Sequence, residues 1–108
     1  MIDAREALAE GRSARVRPRG RSMSGVIEDD QEVCIAPLDP SDVQPGDVVF
    51  LAWKQSYLVH IVYELDGEQV LIGNARGRMN GWTDRSAILG RVVGVRAELS
   101  PRAPRRSR

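Results

Sequence analysis

Between Glu32 and Leu99 the apolar residues come in short runs, and a turn-forming residue interrupts each run. Such punctuation favours short strands over long helices. Glu32-Val33-Cys34-Ile35-Ala36 reads as a strand stopped by Pro37, and Pro37-Leu38-Asp39-Pro40-Ser41-Asp42 has turn chemistry. Residues 47–53 and 56–65 read as strands around a Lys54-Gln55 hairpin. Asp66-Gly67 reads as a second hairpin turn, into Gln69-Val70-Leu71-Ile72. The stretch 73–82, interrupted by Gly73, Gly77 and Gly81, reads as a long glycine-rich loop. Residues 88–99 read as a long closing strand in which Gly90 and Gly94 allow bends or bulges. Upstream, Arg15-Val16-Arg17-Pro18 reads as an edge strand, since Pro18 removes a ladder donor. Residues 2–11 fit a short helix with Asp3 as N-cap and Gly11 as its stop. The expected fold is mainly β: a small, partly closed β-barrel of short strands with room for one short N-terminal helix.

The chain has 108 residues, enough for one domain. The division expected is an N-terminal helix or arm at 1–14, a β domain at 15–99 and a disordered basic tail at 100–108. Sixteen basic residues against fifteen acidic give a net charge of +1, which argues against strong nucleic-acid binding. The arginines are unevenly placed. Arg102, Arg105, Arg106 and Arg108 crowd the last residues, where no apolar side chain larger than alanine accompanies them, so a solvated tail is expected. Cys34 is the lone cysteine, which excludes an internal disulfide and reads as a small core residue. With one histidine and one cysteine, no metal site and no cofactor are expected. The N-terminal residues lack the apolar core of a signal peptide, and no run has the length of a membrane span. The expectation is a soluble, cytoplasmic protein without a membrane span.

Two residues suggest chemistry. Ser22 lies in Gly20-Arg21-Ser22-Met23, between a basic extended stretch and a Met-Ser-Gly turn. His60 lies in the apolar run Tyr57-Leu58-Val59-His60-Ile61-Val62. A serine on a turn and a histidine on a strand are the minimum parts of a nucleophile and its base. Each also has a plain reading: Ser22 as a turn serine and His60 as a satisfied core residue on one face with Leu58 and Val62.

Four blocks in order resemble the serine-peptidase superfamily of type I signal peptidases and self-cleaving SOS and phage repressors. Gly20-Arg21-Ser22-Met23 is similar to the nucleophile box, and Gly46-Asp47-Val48-Val49-Phe50 to the family's Gly-Asp-hydrophobic strand. Leu58-Val59-His60-Ile61-Val62 falls where the base stands, and Ile88-Leu89-Gly90-Arg91-Val92-Val93-Gly94-Val95 is similar to the closing strand. Bacterial signal peptidases and the repressors carry a lysine at the base position; this chain resembles the branch with histidine there. The string from Ile72 to Trp82 further resembles short, stand-alone, uncharacterised bacterial members. Departures include Gly25 in place of a proline, Ile61 in place of an arginine, and Asn74 where the histidine branch has an acid.

The resemblance implies a Ser22–His60 catalytic pair, with the Ser22 N–H among the backbone donors to the oxyanion. Asn74, or the downstream acid Asp84, would orient the imidazole. The substrate implied is a peptide or protein bound as an extended strand. The rival reading is a peptide-binding or regulatory module on the same fold with weak or lost catalysis; the Asn74 and Ile61 departures speak for it.

Overall fold

The computed structural model describes residues 4–18, 23, 27 and 31–96. It is mainly antiparallel β, as the turn punctuation implied. Its elements are helix α1 (Ala4–Ala9) and strands β1 (Ala14–Val16), β2 (Glu32–Pro37), β3 (Val48–Trp53), β4 (Ser56–Asp66), β5 (Gln69–Gly73), β6 (Met79–Asp84) and β7 (Ile88–Arg96). Single 3-10 turns, Pro40–Asp42 and Arg85–Ala87, connect β2 to β3 and β6 to β7. The seven strands form one sheet in the order β1-β2-β7-β3-β4-β5-β6. The sheet is open: among the described residues β1 and β6 are its two edges.

The local chemistry explains most boundaries. Helix α1 ends in a Schellman arrangement, in which Gly11 N–H donates to Leu8 O at 3.0 Å and Arg12 N–H to Ala7 O at 2.9 Å. Gly11 takes φ 82°, which a side chain would resist. The proposed N-cap, Asp3, lies outside the described residues. The β3–β4 hairpin turns through Lys54 and Gln55, whose φ values of 47° and 67° are those of a type I′ turn. The next hairpin turns one residue later than expected, at Gly67-Glu68, because Asp66 pairs with Gln69. The 3-10 turns share a cap: Asp39 accepts from Ser41 N–H and Asp84 from Ser86 N–H.

One expectation is overturned. The glycine-rich stretch 73–82 is not a long loop; β6 occupies its second half and pairs with β5 from Gln69↔Asp84 to Gly73↔Met79. Ladder pairing with β5 prevails over the weak strand propensity of Asn80 and Gly81, and a register shift between Ile72 and Gly73 takes up the extra residue. Cys34 is half-buried rather than a core residue. The 102–108 tail lies outside the described residues.

Successive side chains of β3 and β4 point to opposite faces, which splits the core in two. On the helix side, Leu8, Met23, Ile27, Val33, Ile35, Phe50 and Val59 form one buried cluster. On the hairpin side, Val43, Val49, Leu51, Val62, Val70, Ile72 and Ile88 form the other. The N-terminal arm therefore belongs to the domain, since Leu8 is core.

Candidate functional site

His60 sits in the middle of β4, opposite Val49 of β3. Its neighbours Val59 and Ile61 pack on the helix side, while Leu58 and Val62 pack on the hairpin side. Alternation thus places His60 on the hairpin face, with Val49. It is 7% exposed and is the one buried polar side chain among the described residues. A buried imidazole needs hydrogen-bond partners to offset lost hydration. One nitrogen has its partner: Nδ1 lies 2.5 Å from Val59 O. A carbonyl only accepts, so Nδ1 carries the hydrogen in this contact. In the neutral ring the lone pair is then on Nε2. No described residue bonds Nε2.

Ser22, with its backbone N–H, lies outside the described residues. The residue after it does not. Met23 is 4% exposed and belongs to the helix-side cluster, as does Val59. Ile27, also buried in that cluster, donates its N–H to Met23 O at 2.7 Å. The residue that follows the serine and the residue that precedes the histidine therefore share one packed cluster. The His60 side chain, on the hairpin face, points away from that cluster.

The two candidate orienting residues are engaged elsewhere. The Asn74 amide oxygen accepts from the N–H groups of Arg76 and Arg78 at 2.9 and 3.0 Å. Two bonds fill its two lone pairs, leaving none for an imidazole N–H. Asn74 also closes its loop through backbone bonds, donating to Arg78 O at 2.9 Å and accepting from Gly77 N–H at 3.2 Å. The Tyr63 hydroxyl, on the residue bulged out of the β4–β5 ladder, donates to Asn74 O at 2.5 Å. Asp84 accepts from Ser86 N–H at 2.9 Å, and that backbone bond holds its carboxyl below the usual range. The group that does hold the imidazole, the Val59 carbonyl, has no signature in a sequence because every residue carries one.

Two aromatic side chains of the sheet are exposed. Tyr57 is 41% exposed and stacks on Phe50, with ring centroids 5.5 Å apart. Trp82 is 46% exposed. No cluster of three or more His, Cys, Asp or Glu able to hold a metal occurs among the described residues. No helix among them is long and apolar enough to cross a membrane. Comparison with protein-family models and with curated proteins finds no match for this chain.

Proposed function

We propose that this chain is a serine endopeptidase of the signal-peptidase and repressor type, acting in the cytoplasm on a peptide bound as an extended strand. His60 Nε2 takes the proton from Ser22 Oγ as that oxygen attacks the peptide carbonyl. Backbone N–H groups, including that of Ser22, hold the tetrahedral oxyanion, and water hydrolyses the acyl-enzyme. The observation that carries this reading is the imidazole itself: buried, with Nδ1 committed to Val59 O and Nε2 left without a described partner. Met23 packs with Val59 on the helix side, whereas the His60 side chain lies on the hairpin face, and this separation favours the rival reading given below.

The test is covalent labelling by a fluorophosphonate, combined with cleavage of peptide libraries carrying small residues before the scissile bond. Ser22→Ala and His60→Ala each abolish turnover, by ~10⁴-fold or more, and the double variant is little worse than either because the two act as one unit. Turnover that survives Ser22→Ala removes Ser22 from the mechanism. A wild type that is neither labelled nor active from neutral to alkaline pH moves the chain to the rival reading, a binding module on the same fold. The occupied amide oxygen of Asn74 favours that rival, since it leaves the imidazole without a side-chain orienter.

A further inference from the structure

The two edges of the sheet are built differently. Strand β1 has three residues, carries exposed Arg15, and runs into exposed Arg17 and then Pro18. Shortness, charge and proline are the usual devices that stop an edge from recruiting another strand. Strand β6 has six residues and exposes Met79 and Trp82, at 39% and 46%. It carries a bulge but no proline and no lysine.

The hydrogen bonds at the two ends of the β5–β6 ladder fix which way its backbone groups face. Arg85 N–H donates to Glu68 O, and Asn74 N–H to Arg78 O. Bonded and non-bonded pairs alternate in an antiparallel ladder. Thr83 and Gly81 therefore bond to Val70 and Ile72, while Trp82, Asp84 and Met79 sit in the wide pairs opposite Leu71, Gln69 and Gly73. The N–H and C=O of Trp82 and Asp84 thus face away from β5, toward the open edge. The side chains of Met79, Trp82 and Asp84 also share one face of the strand, because their partners alternate along β5.

This edge is complementary to itself. Arg78 stands at its start and Asp84 at its end, both exposed. An antiparallel second copy about a two-fold axis at Trp82 brings the two Trp82 side chains together. It sets Asp84 of each copy against the Met79–Asn80 bulge of the other, beside that copy's Arg78. One patch thus satisfies itself twice, as a two-fold interface requires. Any single-signed peptide would meet the wrong charge at one end.

We propose that β6 is a self-association surface, through which two copies of this chain pair edge to edge, antiparallel across Trp82, into one continuous sheet. The surface is small for a permanent dimer, so association is weak and depends on concentration.

Sedimentation velocity over a concentration series tests this directly. The wild type is expected to shift from monomer toward twice its mass, and Trp82→Arg to remain monomeric while keeping the wild-type circular dichroism. Arg78→Glu, which sets two acids together at each end, is expected to weaken the dimer most at low salt. Geometry is tested by oxidation in a Cys34→Ser background. Trp82→Cys is expected to cross-link into a covalent dimer, whereas Tyr57→Cys, similarly exposed on β4, is not. A wild type that stays monomeric at its highest soluble concentration overturns the proposal, including the case where the edge binds an added extended peptide instead. So does a Trp82→Arg variant that dimerises as well as the wild type, or cross-linking that is equal at both cysteines.

Discussion

The two hydrophobic clusters are assembled in different ways, and the difference bears on where the molecule is firm. Most of the hairpin-side cluster comes from β3, β4 and β5, consecutive strands joined by two-residue turns, with Val43 and Ile88 closing it from either side. The helix-side cluster draws on α1, Met23, Ile27, β2, β3 and β4, segments distant in sequence. Local pairing closes short loops at small entropic cost; distant pairing closes long ones. His60 belongs by side chain to the hairpin face, while its flanking residues and the segment after Ser22 pack on the helix side. The His60 side chain and Met23 therefore lie on opposite faces of the sheet, one in the locally built half and the other in the half that depends on long-range docking.

The contrast can be broken most sharply at Leu51, which is fully buried in the hairpin-side cluster. Leu51→Ala should cost about 2–5 kcal/mol by chemical denaturation, and the whole domain should lose cooperativity with it. Next in size is Gly90→Ala on the helix side. A Cβ there would meet Ile35 Cγ2 at 2.6 Å and the backbone oxygen of Ala36 at 2.7 Å, and the backbone cannot rotate away. A loss of about 1–3 kcal/mol is expected, measured in the same way.

Leu8→Ala should cost less than about 2 kcal/mol, although Leu8 is 5% exposed, because a six-residue helix can undock without unfolding the sheet. Hydrogen exchange should then show α1 amides opening while β3 and β4 amides stay protected. Equal exchange in both regions would dissolve the distinction between the halves. At the β3–β4 turn the effect reverses sign. Lys54 and Gln55 adopt left-handed φ without being glycine. Replacing them with Asn-Gly should raise the stability by about 1 kcal/mol, seen as a higher melting temperature.

The smallest effect comes from the two caps beside the hairpin cluster. Asp39 and Asp84 both have carboxyl pKa values lowered from 3.8, chiefly by the backbone N–H of Ser41 and Ser86. A depressed carboxylate contributes its full stabilisation above the unfolded value and loses it as pH falls through the lower folded value. Asp39→Asn and Asp84→Asn should each lose a little stability at neutral pH, and the gap to the wild type should close as pH falls below about 4. A variant with an unchanged acid limb would show that the cap does not couple to folding.

Much of the fold was legible in order along the chain. The Gly11 stop and the Lys54-Gln55 hairpin rest on chemistry within a few residues, and each appears where that chemistry put it; the edge strand runs Ala14–Val16, ending before Arg17 and Pro18. β6 was not legible, because Met79-Asn80-Gly81-Trp82 has little alternation and its pairing depends on β5 being beside it. For the candidate site, the strand position of His60 was legible in its apolar run, while Ser22 lies outside the described residues. Asn74 was not legible: its side chain serves the loop 74–78, a use that depends on how tightly the chain turns there.

Residue order alone determined that this chain would be mainly β, with a short helix ahead of it, and that its lone histidine would lie within an apolar strand. These follow from period, turn residues and composition, which act locally. Tertiary structure decided which sheet edge is long and exposed, and that Val59 and the residue after Ser22 would share a cluster. It also decided that the His60 ring would be buried with one nitrogen bonded and the other without a described partner. Those outcomes depend on strand order and register across the whole sheet. Register is settled by burying both faces at once, a condition that no short stretch of sequence contains.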